Sequence, residues 1–415
     1  MQQKFSRDFR LMVAGQIVSL LGNSMLRFAL SLYVLDLTGS AAAFGAILAL
    51  SMVPTVVCSP LGGVLADRAP RQFIMAGLDF LTAGLTGGYL LIAGGGLTPV
   101  AGLMVLFSLI QAFYQPSVQA SIPALTAPDQ RMRANGLVAL VQALSTLLGP
   151  VLGGVLYGGL GLRPMLAVGG VCFLLSAVME LFLRIPFQPP QRWSSIFGGL
   201  RADLREALGF LVRDNPRLFQ ALLLLAGLNL FLSALYLVGL PYLIKVHLGL
   251  SAQLYGWIEG ALGVGSILGG LLSGPLAGRV GFCRSHLFLA GTALLLAPIA
   301  LVLGLGAPPL ACYWVILACV LLGMGCATLF NLSVQTFLQQ ETPPRLMGKV
   351  AAFVTTLCTC SLPLGQAMYG LLFEALAARL WLPVAFGAAV SFALALAAGR
   401  VLGALSPGAE APQDV

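Results

Sequence analysis

Three ionisable residues lie well inside long apolar stretches of the sequence: Arg27, Asp79 and Glu259. A charged side chain at the middle of a bilayer costs at least about 2.5 kcal/mol on insertion scales, so each of these must be paired, hydrated or functional. Glu259 is the first candidate for a protonatable group, because burial favours the neutral form of a carboxyl group. Asp79 is the second candidate, with the alternative that it braces a nearby loop. Arg27 either attracts an anionic ligand group or pairs with Glu259 or Asp36.

Amide and hydroxyl side chains recur in four of the apolar stretches at steps of three and four residues. On a helix this spacing places them on one face, and that face avoids lipid. For any one glutamine the alternative is a hydrogen bond to a neighbouring helix, whereas the recurrence in four stretches favours a shared polar path. The predicted lining of this path is Gln16, Ser19, Asn23 and Arg27, then Ser108, Gln111, Gln115 and Gln119, then Asn229, Ser233 and Tyr236, and finally Thr328, Asn331 and Gln335.

The sequence contains no recognisable catalytic or metal-binding set. The eight cysteines show no metal-ligand spacing and are interpreted as thiols in helix packing. The two histidines, His247 and His286, sit near predicted helix ends, without an acid and a nucleophile beside them. A phosphate-binding G-x4-G-K-[ST] segment is also missing. We therefore predict that the protein is not an enzyme, holds no cofactor or metal, and does not itself hydrolyse ATP.

The elements that position these residues are predicted to be membrane helices. Hydrophobic residues make up 59% and charged residues 9% of the 415 residues, against about 25% charged residues in soluble proteins. This composition excludes a soluble multi-domain protein, a disordered chain, a nucleic-acid-binding protein and a secreted disulfide scaffold. A bilayer core needs roughly 20 apolar residues per helix. The predicted spans are 11–36, 41–66, 72–94, 98–120, 134–160, 164–184, 217–245, 252–278, 285–305, 308–334, 346–375 and 381–404.

The basic residues orient these spans. If the spans alternate, eighteen of the 22 lysines and arginines fall on the side of the membrane that holds the N-terminus. Positive residues concentrate on the cytoplasmic side, so both termini are predicted to be cytoplasmic, in a multi-pass protein of the plasma membrane. Membrane topology therefore explains the formal net charge of +8, and nucleic-acid binding is not required to explain it. Glu180 and Arg184, one turn apart at the inner end of the sixth span, are predicted to form an interfacial ion pair.

A long polar segment divides the chain near its midpoint. Residues 185–216 are predicted to be a cytoplasmic linker that carries a short amphipathic helix. Residues 1–184 form an N-terminal six-helix bundle and residues 217–415 a C-terminal one in this scheme.

The two halves also repeat each other. The segment from Gly63 to Arg71 is similar to that from Gly274 to Gly281, and Ser-Val-Gln at 117–119 recurs at 333–335. A repeat with an even number of spans keeps its orientation in the membrane. The predicted fold class is therefore all-α, with twelve transmembrane helices in two pseudo-symmetric six-helix bundles and a substrate site between them.

The segment from Gly63 to Arg71 resembles the signature of the major facilitator superfamily, G-x-L-A-D-R-x-G-R-[KR]. Pro70 replaces its second glycine and Gln72 its final basic residue. The resemblance covers essentially the full chain and implies that this loop closes the cytoplasmic side in the outward-facing state. Such a glycine permits close helix approach, the aspartate pairs with basic groups or a helix N-terminus, and the arginines stay at the anionic leaflet. The implied cytoplasmic gate is Gly63, Asp67, Arg68, Arg71, Gly274 and Arg279.

A second motif lies in the fifth span and is similar to the antiporter-type motif G-x3-G-P-x2-G-G of exporters in the superfamily. Its residues are Ser145, Gly149, Pro150, Gly153 and Gly154. The proline bends the helix and the glycines permit close packing, and helix packing alone is the alternative explanation.

The segments 37–40 and 133–136 resemble more narrowly the macrolide-efflux and enterobactin-exporter branch of the superfamily. The fourth span holds no charge, so the arginine that couples protons in many drug exporters has no counterpart here.

The resemblance implies a secondary active transporter. We predict a proton-coupled exporter of amphipathic small molecules, of the multidrug, macrolide or siderophore kind, that works by alternating access as a monomer in the lipid bilayer. The alternatives within this fold are a lysophospholipid- or lipid-type carrier and a nutrient uptake facilitator. From another class, the alternative is a non-transporting membrane sensor, which measured flux would distinguish from a carrier.

Overall fold

The computed structural model describes residues 5–91, 96–187, 204–280 and 284–403, with only the backbone described at 277–280 and 402–403. Twelve helices in these ranges are long and apolar enough to cross a membrane. Each overlaps one predicted span, which confirms the all-helical class with twelve spans. The helices are α1 Arg7–Thr38, α2 Ala41–Arg68, α3 Arg71–Leu91, α4 Leu97–Leu125, α5 Arg131–Leu160, α6 Leu162–Leu181, α7 Pro216–His247, α8 Ala252–Val280, α9 His286–Gly304, α10 Pro309–Glu341, α11 Met347–Ala375 and α12 Trp381–Gly403.

Local capping sets the ends of the first two helices. The Ser6 hydroxyl accepts a hydrogen bond from the Phe9 backbone N–H at 3.1 Å and so caps the start of α1. Gly39 ends α1 with φ at 59°, in the left-handed region that glycine adopts without a Cβ clash. Ser40 then caps α2 by accepting from the Ala43 N–H at 3.1 Å. Only Gly39 and Ser40 separate the two helices, which keeps them neighbours.

Helix α7 departs from regular α-helical geometry. It is α-helical over Pro216–Leu228 and then takes π turns at Asn229–Ser233, Leu235–Gly239 and Tyr242–His247. A π turn bonds residue i to i+5 and holds more residues per turn than an α-helix. Spacings of three and four residues therefore do not mark one face in this part of the chain.

The first of two compact units comprises residues 1–194 together with 250–260. In it, α2 packs against α4, α3 against α6, and α1 against both α5 and α6. A Cβ atom at Gly62 would collide with the carbonyl oxygen of Ala112, so α2 and α4 touch through their backbones. The close approach thus lies one residue before Gly63, where a Cβ would meet nothing within 4 Å. The sequence-based assignment of this contact to Gly63 is wrong by one position.

The second unit comprises residues 195–249 and 261–415. Its helices pair in the same order as those of the first: α9 packs against α12, and α7 against α11 and α12. Helix α8 meets α10 where a Cβ at Gly265 would collide with the Leu321 carbonyl. Part of the predicted linker, residues 188–203, lies outside the described residues, whereas residues 204–214 are helical and bring Glu206 to Lys349 at 2.6 Å.

Candidate functional site

A chain of buried hydrogen bonds crosses the first unit. The Gln16 Nε2 group on α1 donates to the Tyr114 hydroxyl on α4 at 2.6 Å. The Tyr114 hydroxyl in turn donates to Glu180 Oε1 on α6 at 2.7 Å. The exposed fractions of these three side chains are 1%, 0% and 0%. Three helices are thus joined by one polar chain inside an apolar core that includes Met12, Leu20, Met75 and Val118.

A second buried carboxyl group belongs to this cluster. The Ser19 hydroxyl on α1 donates to Asp79 Oδ1 on α3 at 3.2 Å, and Asp79 is 1% exposed. Asp79 and Glu180 are close enough to interact electrostatically. Asp79 therefore joins α3 to α1, and in the described part of the chain no hydrogen bond or ion pair ties it to the loop after α2. The alternative that it braces this loop finds no support in the geometry.

Two sequence-based interpretations change at this cluster. Glu180 is fully buried and bonded to Tyr114, whereas Arg184 is exposed, and the described residues record no ion pair between them. The interfacial ion pair predicted from their spacing is therefore wrong, since α6 turns the carboxyl group into the core. Gln16 was predicted to line the polar path, but it lies inside the first unit as a donor to Tyr114.

Arg27 lies half-buried on α1. Its Nη1 group donates to the Ser108 hydroxyl on α4 at 3.3 Å. Within the described ranges, no ion pair joins Arg27 to Asp36 or Glu259, the two partners predicted for it. Asp36 instead accepts a hydrogen bond from the Tyr157 hydroxyl at 2.7 Å. Among the described residues, the partner given for the Arg27 guanidinium group is thus the neutral hydroxyl of Ser108.

Glu259 stands near the start of α8, in the part of that helix that belongs to the first unit. It is half-buried and accepts a hydrogen bond from the Tyr255 hydroxyl, one turn earlier on the same helix. The Tyr255 ring stacks on Phe28 of α1, with centroids 5.2 Å apart and an interplanar angle of 13°. This stacking holds the tyrosine, and through it the carboxylate, beside α1.

The glycines of the motif in α5 are packing positions. A Cβ at Gly149 would collide with the side chain of Ser24 on α1, and at Gly153 it would lie 3.1 Å from Phe28 Cδ1. At Gly154 it would lie 2.7 Å from the Ala252 carbonyl oxygen on α8. Ser145 and Pro150 are buried beside them. The motif therefore places one helix against two others at backbone distance.

The loop between α2 and α3, which carries the sequence signature, is organised by Arg71. Its side chain donates from Nε to the Ala66 carbonyl at 2.9 Å and from Nη1 to the Ala120 carbonyl at 2.8 Å. It also approaches the exposed Asp67 carboxylate at 3.7 Å. Arg71 thus ties the end of α2 to the end of α4. A Cβ at Gly274 would meet nothing within 4 Å, and the Arg279 side chain lies outside the described residues.

The remaining predicted lining residues differ in their exposure, and five of them are at least partly accessible. Asn23, Gln111 and Gln115 are half-buried, and Asn331 and Gln335 are exposed and joined by a 3.0 Å hydrogen bond.

Two predicted lining residues on α7 are engaged within the protein. The Asn229 side chain donates to the carbonyl of Leu225, and Tyr236 is only 6% exposed. The burial of Tyr236 contradicts its prediction as a lining residue, because its hydroxyl group packs against Gly323 of α10 within the second unit.

A pocket of 390 Å³ lies between the ends of α4 and α5 in the first unit. It combines amide groups, one basic residue and an apolar wall, and no carboxylate lines it. Its residues are Gln119, Ile122, Pro123, Arg131, Asn135, Val138, Ala139 and Gln142. Such a surface suits a ligand with an apolar body and a neutral or anionic polar group. Within the described residues, no group of three or more His, Cys, Asp or Glu side chains is placed to hold a metal ion.

A family model and two curated relatives match most of the chain. The Major Facilitator Superfamily model matches residues 12–365. Macrolide efflux protein A of Streptococcus pyogenes is 26% identical over 382 residues, which are 89% of this chain and 90% of the relative. Enterobactin exporter EntS of Citrobacter koseri is 27% identical over 378 residues, 87% of this chain and 84% of the relative.

Solved structures share the fold. A bacterial homologue of the iron transporter ferroportin in an inward-facing state has a TM-score of 0.71 at 19% identity, covering 95% of this chain and all of that one. The nucleoside transporter NupG has a TM-score of 0.71 at 16% identity, covering 95% of this chain and 99% of that one.

Proposed function

The chain belongs to the Major Facilitator Superfamily and is a membrane transporter rather than an enzyme, and we propose that it is a proton-coupled exporter of amphipathic small molecules. The observation that carries this proposal is the similarity, over nearly nine-tenths of the chain, to two exporters of the superfamily. The close-packed glycine motif of α5 supports it, since this motif resembles that of exporters. We place the protein in the cytoplasmic membrane as a monomer with both termini inside.

The substrate class follows from the side chains that remain accessible. Polar groups remain available at the half-buried amides of Asn23, Gln111 and Gln115 and at the guanidinium group of Arg27. Among the described residues, none of them is bonded to a carboxylate. The pocket between α4 and α5 adds Arg131 and further amides to an apolar wall. A mostly apolar molecule with a neutral or anionic polar group matches these surfaces, which agrees with macrolide-like and siderophore-like substrates.

The coupling residue in this proposal is Glu259. It is half-buried, it is held by Tyr255, and within the described residues it has no basic partner. Such a carboxyl group can alternate between a protonated and an ionised state as its surroundings change. Asp79 is the second proton-coupling residue in this proposal. The loop residues Gly63, Asp67, Arg68, Arg71, Gly274 and Arg279 form the proposed cytoplasmic gate, in which Arg71 ties the end of α2 to the end of α4.

The test is transport by purified protein in liposomes with an imposed pH gradient. The probes are a radiolabelled macrolide, a catecholate siderophore and a lysophospholipid, and the matched control variant changes the exposed Asp129 to Asn. We expect gradient-driven movement of the macrolide or the siderophore against the direction of proton flow, and loss of its gradient dependence in Glu259→Gln.

Other outcomes would exclude parts of the proposal. Movement of only the lysophospholipid would identify a lipid carrier. Movement of substrate in the same direction as protons would identify an uptake facilitator. Binding of the probes without any flux would favour the alternative that the protein is a non-transporting membrane sensor. Unchanged proton dependence in Glu259→Gln would remove Glu259 from the coupling mechanism.

A further inference from the structure

As far as the structure describes the chain, the buried cluster of the first unit contains two carboxyl groups and no basic side chain. Asp79 and Glu180 are 1% and 0% exposed. Within the described residues, neither forms an ion pair. Arg10 on α1 and Arg184 after α6 are exposed, and Arg71 at the start of α3 is used by carbonyl groups and Asp67. An ionised carboxylate buried without a basic partner is strongly unfavourable, and two in one site repel each other.

The cluster is also short of hydrogen-bond donors. Gln16 Oε1, Asp79 Oδ2 and Glu180 Oε2 are buried acceptor atoms without a recorded partner. The nearby donors are already used, because Gln16 donates to Tyr114, Tyr114 to Glu180, and Ser19 to Asp79. The Ser176 hydroxyl also lies beside Asp79, but its one hydrogen atom is donated to the Gly15 carbonyl at 3.1 Å. Buried acceptors in folded proteins are rarely left without a donor, so a donor is missing from this cluster.

A bound proton supplies both the positive charge and the hydrogen-bond donor that the cluster lacks. Bound to one carboxyl group, it removes one negative charge and creates an O–H donor for an orphaned acceptor beside it. A sodium ion would also remove charge, but it needs space for several oxygen ligands, whereas these side chains are sealed at 0–1% exposure in an apolar core. The titratable groups that face the pair are Asp79 on α3, Tyr114 on α4 and Glu180 on α6, and α1 contributes only Gln16 and Ser19.

We propose that Asp79, which accepts a hydrogen bond from Ser19, and Glu180, which accepts one from Tyr114, form a shared proton-binding site inside the first unit, separate from the Tyr255–Glu259 pair. At neutral pH the site holds at least one proton between its two carboxyl groups. In the transport cycle this proton is released and rebound, a part of the inference that rests on the proposed function.

Infrared spectroscopy tests the proton itself and needs no transport. In lipid nanodiscs at neutral pH, the wild-type protein should show the C=O stretching band of a buried protonated carboxylic acid. Asp79→Asn and Glu180→Gln should each remove or shift this band, and Tyr114→Phe should shift it because the group loses its phenol donor. The exposed control Asp129→Asn should leave it unchanged. Glu180→Gln keeps an acceptor for Tyr114, and Tyr114→Phe still reports on the site if either carboxyl variant fails to fold.

Three results would overturn the inference or limit it. If the band is missing, or survives in both carboxyl variants, the pair does not bind the proton. If the band appears in choline chloride and disappears in sodium chloride, the site binds sodium and the proton assignment is wrong. If the band behaves as expected but Glu180→Gln transports with the wild-type pH profile, the proton is structural and its release during transport is overturned. An absence of flux in wild type, with a normal band, would refute the proposed function and leave the proton site standing.

Discussion

The two units share their packing but not their polar chemistry. In both, the second helix meets the fourth through a glycine against a backbone carbonyl, at Gly62 in the first unit and Gly265 in the second. The described residues contain two fully buried carboxyl groups, and both lie in the first unit. Aligned on the repeated Ser-Val-Gln segments at 117–119 and 333–335, Tyr114 of the first unit corresponds to Phe330 of the second, and both are fully buried.

The difference between Tyr114 and Phe330 indicates what each unit contributes. Close packing of small residues recurs in both halves because it determines how the helices associate. Buried polar and charged residues are tolerated in a membrane protein only where they are paired or functional. Since Asp79 and Glu180 both belong to the first unit, the proton site that we propose for them lies in that unit.

The largest expected effect concerns the packing that the two units share. Gly62→Ala should collide with the Ala112 carbonyl, and Gly265→Ala with the Leu321 carbonyl. Because neither backbone can move without displacing a helix, each change should lower the free energy of unfolding by about 2 kcal/mol or more. Thermal unfolding of the detergent-solubilised protein measures this loss of stability. Gly77→Ala and Gly270→Ala, where a Cβ meets nothing within 4 Å, are the controls. Helix propensity favours alanine at all four positions, so equal losses at all four would show that the two backbone contacts are not responsible.

An exchange of the corresponding aromatic residues should have an intermediate effect. Tyr114→Phe leaves Glu180 without its donor and Gln16 without its acceptor. Phe330→Tyr places a new hydroxyl group at a fully buried position. Each should reduce the free energy of unfolding by about 1–3 kcal/mol, because a buried polar group is left without a partner. Thermal unfolding again provides the measurement. If Phe330→Tyr left the free energy of unfolding unchanged, the second unit would tolerate a polar group at this position as well as the first unit does.

The pH dependence of stability should distinguish the units further. Deprotonation of the Asp79–Glu180 pair puts a second charge into an apolar core, whereas the same groups ionise freely in the unfolded chain. The folded state then binds more protons than the unfolded state, so stability contributed by the pair is lost as pH rises. We expect the melting temperature of the wild type to fall from mildly acidic to mildly alkaline pH. The fall should be smaller in Asp79→Asn combined with Glu180→Gln. An equal slope in both proteins would mean that other groups cause it.

The smallest effect should come from the ion pair of the second unit. Lys349 and Glu206 approach to 2.6 Å, but their side chains are 32% and 48% exposed. Exposed ion pairs contribute about 0–1 kcal/mol, since water and salt screen them. Lys349→Met should therefore change the melting temperature little, and less still at high salt. A loss as large as that of Tyr114→Phe would show that the pair is a structural element of the second unit.

Much of this molecule follows from local sequence. Twelve apolar stretches determine twelve helices, because in a bilayer each backbone polar group must be satisfied within its own segment. The glycines of the α5 motif predict close packing correctly, since a missing side chain permits backbone contact wherever the helix is placed.

Local sequence does not determine which side chains are buried or which partners they bind, because these depend on the direction in which each helix faces. The spacing of Glu180 and Arg184 predicts an ion pair, but α6 points the carboxyl group at Tyr114, 66 residues away along the chain. The helical spacing of Tyr236 assumes regular turns, and the π turns of α7 break that assumption. Gln16 has the same polarity whether it faces a water-filled path or a buried acid. Only the tertiary structure decides these positions, because burial and partner choice depend on neighbours that are distant in sequence.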